Sequence, residues 1–198
     1  MKMKGRLISL IVLLCLVYQA CNAQITARER LGMAIEYFQS GKYHESLLIF
    51  ERLDKEYELD IRYKAYIGVC QYYEFDYKKA CQYLDPLIDT LSVYAPHEQA
   101  VYYNCCGESH FLLEQYEQAI PAYERFLNVC YNNEKGQAFY RLAFCYLNMS
   151  DQESAYDMLQ SAQAYYEKYA SNDSQQRLAQ IKRMANGIRQ RLKKTEEQ

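Results

Sequence analysis

Apolar and small residues recur along the chain at two nested intervals. Locally they return every three or four positions, the interval of one helix face. Over longer range the same pattern returns four times, with Gly41-Lys42-Tyr43-His44-Glu45-Ser46 matching Phe75 to Ala80, Glu114 to Ala119 and Ser150 to Ala155. The small residues Ser46, Ala80, Ala119 and Ala155 are 34, 39 and 36 positions apart. Twelve positions before each stands another small residue, Ala34, Gly68, Gly107 or Ala143, and four after each stands a large one, Phe50, Leu84, Tyr123 or Leu159. The spacing predicts four pairs of antiparallel helices, over about 28–57, 62–91, 100–131 and 136–169. A last apolar stripe, Leu178, Ile181, Met184, Ala185, Ile188 and Leu192, predicts one further amphipathic helix over 174–194.

The register has a physical logic. Small residues let two helices cross closely, and large ones fill the space one turn away. Gly41 suits a left-handed helix end, and the polar residues before each second helix suit its cap. Pro86 and Pro121 fall inside second helices, where each predicts a bend. The additional residues around Ser92 to Gln99, with Pro96, read as a lengthened loop. The final helix suits a lid, because the last unit of an array otherwise exposes an apolar face.

Five positions recurring in four copies resemble the tetratricopeptide repeat, with a small residue in the first helix, then Tyr, a small residue, an aromatic and an apolar residue. Gln152 departs from the pattern where the fourth copy should have Tyr. The resemblance implies an all-α, right-handed solenoid of about four helix-turn-helix units plus a C-terminal capping helix. It also implies a face, formed by the first helices, that holds a peptide or a partner's helix. The family's carboxylate clamp for chaperone tails is not carried over, since its positions hold Leu31, Ile35, Tyr66, Val101 and Cys105.

Composition agrees with helices. Half of the 198 residues are hydrophobic, Gly and Pro number only 7 and 3, and Tyr reaches 22, an excess suited to half-buried or binding surfaces. Residues 1–23 read as a secretory signal, with Lys2, Lys4 and Arg6 before the apolar run Leu7 to Val17 and the small-residue site Cys21-Asn22-Ala23. Eleven residues are too short for a bilayer span of ~20. Cleavage near Gln24 is the first processing route, acylation of Cys21 as in a bacterial lipoprotein the second, and retention as an uncleaved anchor the remaining one. All three place the protein outside the cytoplasm, in the periplasm or on an envelope membrane. The segment removes three basic residues from totals of 23 basic and 25 acidic, leaving a net charge of −5. Residues 175–198 carry seven basic against two acidic residues, a tail that could meet an anionic membrane surface. The remaining body is acidic and offers no footprint for nucleic acid.

No motif announces catalysis, phosphate binding or a metal, and no cofactor is expected. Cys106 and His110 stand four apart on one helix face, as a thiol and its base would, but their register matches inward core positions. Cys70, Cys81, Cys105, Cys106, Cys130 and Cys145 sit mostly where a small apolar residue is wanted. Buried thiols are the simpler reading, although an exported chain permits bridges.

The positions opposite the core side of each first helix are two, five, nine and thirteen. They hold nine apolar or aromatic residues among sixteen, where a merely solvated face would be charged. Two accounts compete: a ligand covers this stripe, or positions five and nine pack between neighbouring first helices. On the first account, a groove forms from Tyr66, Val69, Tyr73, Asn104, Glu108, Tyr140, Arg141 and Phe144. The protein is then a non-catalytic adaptor for a peptide or partner helix in the cell envelope. The alternative is a structural component of an envelope assembly tethered through Cys21.

Overall fold

The structure, a computed structural model, describes residues 26–169 and 174–196. The expected signal segment, Cys21 included, lies outside the described residues. Nine α-helices and no strand occur among the described residues: α1 (Ala27–Gln39), α2 (Tyr43–Glu56), α3 (Ile61–Tyr73), α4 (Tyr77–Leu84), α5 (Pro96–Leu112), α6 (Tyr116–Val129), α7 (Asn132–Asn148), α8 (Gln152–Tyr169) and α9 (Gln175–Glu196). They pair as α1–α2, α3–α4, α5–α6 and α7–α8, with α9 against α8. This is the all-α solenoid with a terminal helix that the periodicity predicts.

Four helix starts follow short polar side chains, whereas α2 and α6 begin after Lys42 and Gln115 with no side-chain cap. The Thr26 hydroxyl accepts from the Glu29 amide at 3.2 Å while the Glu29 carboxylate accepts from the Thr26 amide at 2.8 Å, a reciprocal cap. Asp60, Asp76 and Asp151 likewise accept backbone N–H groups at the starts of α3, α4 and α8.

Every first helix ends the same way. Gly41, Phe75, Glu114 and Ser150 have φ of 72°, 63°, 59° and 64°, so one left-handed residue closes the helix in all four units. The N–H groups of the following residues, Lys42, Asp76, Gln115 and Asp151, donate to the carbonyls of Tyr37, Gln71, His110 and Tyr146 at 2.9 Å in each unit. Only Gly41 adopts this conformation without steric cost. The other three meet a Cβ–carbonyl clash of about 1–2 kcal/mol, which the identical turn must offset.

The crossings are as close as the small residues predict. Ser46 is fully buried and its hydroxyl donates to the Ala34 carbonyl at 2.8 Å, joining the two small residues of the first unit. A Cβ on Gly68 would lie 2.6 Å from Leu84 Cγ, and one on Gly107 would lie 3.0 Å from the Tyr123 ring. Gly136 makes a further close approach that the repeat register does not single out, with the Tyr166 ring 2.8 Å from a built Cβ.

Two prolines act differently from expectation. Pro86 does not bend α4 but follows its end, because the helix stops at Leu84 and passes into the 3-10 turn Asp85–Leu87. Pro96 opens α5 rather than sitting in a loop, since a first-turn position requires no N–H donor. Pro121 lies within α6 on its exposed side. At the far end, Ile181, Ala185 and Ile188 of α9 are buried against Tyr140, Ala143, Leu159 and Ala162 of the fourth unit. Three of the tail's basic residues are drawn into this contact: Arg177 lies 4.4 Å over the Tyr140 ring, Lys182 pairs with Glu167 at 2.7 Å, and Arg191 bonds Gln152 at 3.3 Å.

Two glycine substitutions separate close crossing from ordinary helix propensity. Gly68→Ala forces a methyl into Leu84 and should destabilise the fold by about 1–3 kcal/mol. Gly187→Ala, where a Cβ meets nothing within 4 Å, should stabilise it by about 0.5–1 kcal/mol. Urea denaturation of the two variants reads both signs.

Candidate binding groove

The stripe on the first helices divides by position. At position five, Ala65 and Tyr140 are buried and Leu31 and Asn104 half-buried; at position nine, Val69 and Glu108 are buried and Ile35 and Phe144 half-buried. Position two holds exposed Arg28, Arg62 and Val101 with half-buried Gln137, and position thirteen holds exposed Gln39, Tyr73, Leu112 and Asn148. Positions five and nine thus face the neighbouring first helix, while two and thirteen flank the resulting seam.

A cavity of about 340 Å³ opens where α3, α5, α6 and α7 converge. Tyr73, Asn104, Glu108 and Arg141, half of the expected site, line it together. Tyr73 is 44% exposed at the end of α3, its ring stacked on Tyr43 with centroids 4.0 Å apart. Val101 is exposed on α5, while Ala100, Cys105, Phe126 and Ala138 are buried around the cavity. Half-buried Asn104 and Gln137 add side-chain amides.

The cavity's charge is organised by one ion pair. Arg141 donates from Nε and Nη2 to the two carboxylate oxygens of Glu108 at 2.8 and 2.7 Å, a two-point geometry. The Tyr123 hydroxyl donates to the same carboxylate at 2.8 Å, tying α6 to the link between α5 and α7. Burial and the adjacent Glu108 charge push the Tyr123 phenol far up, so it stays a donor. Burial opposes the charge on Arg141, but the bond from Glu108 outweighs it and holds the guanidinium protonated. Arg141 also lies 4.5 Å over the Phe111 ring. Repeat position alone places Glu108 and Arg141 on facing helices, but their pairing requires knowing that position nine of one unit faces position six of the next.

The other expected residues do not come to the cavity. Val69 is fully buried, and Tyr140 is 3% exposed within the cluster that receives α9, so neither presents an open surface. Tyr66 stacks on Phe38 at 4.1 Å and fills the junction of the first two units. Phe144 packs edge-on to Tyr140. Their places on the helix wheel are as expected; the neighbouring first helix or terminal helix covers them. Conversely, His97 and Glu134, in the first turns of α5 and α7, line the cavity without any sequence signal.

The six cysteines among the described residues are free thiols, five buried and Cys130 half-buried. Burial pushes Cys70 and Cys145 up to about 12 and Cys106 and Cys130 to about 11, so these four are not reactive thiolates at neutral pH. Cys106 and His110 share no isolated dyad, because Asp85 reaches both.

Comparison with known proteins agrees with this architecture. The Tetratricopeptide repeat family model matches residues 137–172. No curated protein matches the chain. The solved structure described as MamA AMB-1 is similar over 83% of this chain and 92% of its own, with a TM-score of 0.59 and 20% identity. MamA 41-end from Desulfovibrio magneticus RS-1 is similar over 86% and 93%, with a TM-score of 0.59 and 17% identity. The putative kinesin light chain of Podosopora anserina, with nearly identical TPR-like repeats, gives 86%, 91%, 0.57 and 16%. At these identities the structural likeness is one of fold. The family match lies in the fourth unit, the other three units repeat its register, and the chain has a tetratricopeptide-like solenoid fold. Such a fold supports a protein–protein interaction scaffold role.

The ion pair beneath the cavity should dominate local stability. Glu108→Ala leaves Arg141 without its partner and should cost about 2–3 kcal/mol, below the fully buried range because Arg141 keeps part of its side chain in solvent. Arg125→Ala removes an exposed pair with Asp89 and should change stability by no more than about 1 kcal/mol. Denaturant midpoints of the two variants make the comparison.

Proposed function

We propose that the protein is a non-catalytic adaptor of the bacterial cell envelope that seats a short segment of a protein partner in the α3–α5–α7 groove. The observation that carries this reading is the exposure of Tyr73 and Val101 beside a cavity of about 340 Å³. That volume suits one or two apolar side chains of a docked segment. Asn104 and Gln137 offer donors and acceptors to its backbone, and the Glu108–Arg141 link keeps the walls fixed before docking, which lowers the ordering cost of binding. Export rests on the basic start, apolar run and small-residue site of residues 1–23.

A second reading, tethering through Cys21 as part of an envelope assembly, is supported by Ala20-Cys21 directly after the apolar run. Among the described residues no helix is long and apolar enough to cross a membrane. Arg183, Arg189, Lys193 and Lys194 are exposed along α9 and support a peripheral contact with anionic lipid under this reading.

A photoreactive amino acid at Val101 should capture a protein partner in intact cells, whereas one at Leu48 on α2 should not. Once the partner is known, Tyr73→Ala should weaken its binding about tenfold or more, the cost of truncating an aromatic anchor. Equal capture from both positions, or unchanged affinity, contradicts the groove. Intact mass of the processed chain separates the two anchoring states: an acylated species beginning at Cys21 supports tethering, and an unmodified one beginning at Gln24 removes it.

A further inference from the structure

A second cluster lies at the truncated end of α4, away from the groove. Cys81 and Asp85 are four residues apart, and Asp85 keeps helical dihedrals (φ −56°, ψ −46°) although Pro86 ends the helix there. Both side chains therefore stay on one face. Cys106 and His110 form a second pair four apart on α5. A sulfur of Cys81, a carboxylate oxygen of Asp85 and a ring nitrogen of His110 all lie within 4.8 Å of one another. A tetrahedral zinc with bonds of about 2.0–2.3 Å needs its ligand atoms roughly 3.3–3.8 Å apart, a contraction within the reach of small side-chain rotations.

The histidine is oriented as a ligand would be. Its Nδ1 faces the Gln115 side-chain oxygen at 2.8 Å, and its Nε2 faces Asp85 Oδ1 at 2.8 Å. Nδ1 as the donor to Gln115 fixes the ring and directs Nε2 at the cluster, the arrangement that metal-bound histidines receive from their outer partners. Without a metal, Nε2 must also carry a proton to bond Asp85; a cation there takes that proton's place. Cys106 Sγ lies 3.4 Å from the same Asp85 oxygen and borders the remaining position. His110 and Cys81 are buried, whereas the Asp85 side chain is 48% exposed and gives access from solvent.

We propose that Cys81, Asp85 and His110 form a zinc site that staples the end of α4 to α5. The mixed sulfur, nitrogen and oxygen donors suit zinc rather than calcium or magnesium, which take oxygen ligands. Binding exchanges protons on the Cys81 thiol and on the His110 imidazolium for the cation, releasing them to solvent. The bond between the two helices replaces the turn of α4 that Pro86 prevents. This site is independent of the groove and stands or falls separately.

The test uses the purified, chelator-treated chain titrated with zinc and with cobalt. One cobalt per chain should give the absorption of a tetrahedral thiolate-bearing site, and one zinc should displace it and raise the melting temperature. Asp85→Asn, at a half-exposed side chain, should lower zinc affinity at least tenfold without unfolding the protein, and Cys81→Ser should remove the thiolate-to-cobalt band. Gln115→Ala should weaken zinc about 10–100-fold, the usual cost of losing an outer partner. Cys130→Ser should leave binding unchanged. Absence of a saturable one-to-one cobalt spectrum in the unsubstituted chain overturns the site, as does binding that survives Asp85→Asn or disappears with Cys130→Ser.

Discussion

Two helices that cross closely enough to exclude a side chain are the constraint on which this structure depends. In each unit the first helix ends on one left-handed residue, and the second returns across it at a small residue. Close crossing buries one face of each helix but leaves the other apolar faces uncovered, so a unit cannot stand alone. Stacking four units covers those faces in sequence, and α9 covers the last. The same turn recurs in all four units, with three non-glycine residues held at positive φ, so the geometry of the crossing is kept even where the local residue does not favour it.

The groove is a by-product of stacking made specific by charge. First helices lie side by side, so their positions five and nine disappear into the seam, while positions two and thirteen remain at the surface. Between α5 and α7 the seam contains a carboxylate and a guanidinium instead of two apolar side chains. Their two-point bond, with Tyr123 as a third member, keeps the helices linked through polar groups and leaves a cavity beside Tyr73 and Val101. An all-apolar seam would have no polar group there to meet a partner's backbone.

Much of the fold is legible because the repeat writes it four times. Ser46 and Ala34, Gly68 and Leu84, and Gly107 and Tyr123 meet as their spacing predicts. The site is only half legible, because a helix wheel shows which side a residue faces but not what stands beside it. Val69 and Tyr140 have the right direction and are buried by neighbours that the wheel does not contain. Pro96 reads as loop until the preceding 3-10 turns shorten the connection and place it in the first turn of α5. The Cys81–Asp85–His110 cluster is invisible in sequence for a related reason: its members belong to different units, and no motif spaces them.

Tyrosine abundance also divides between these roles. Tyr102 and Tyr123 are buried with hydroxyls bonded to Glu98 and Glu108, and Tyr83 and Tyr166 reach Asp54 and Gln137 across helix pairs. Three of these four hydroxyls join different helices, and Tyr73 is the one of the three groove tyrosines left exposed. The central claim, that the first-helix seam rather than the outer helices receives the partner, is tested most directly by amide hydrogen exchange on the complex with a captured partner. The account predicts slowed exchange around Tyr73, along 97–108 and along 134–141, with α2, α4 and α8 unchanged. Slowed exchange on those second helices, with the first helices unaffected, would contradict it.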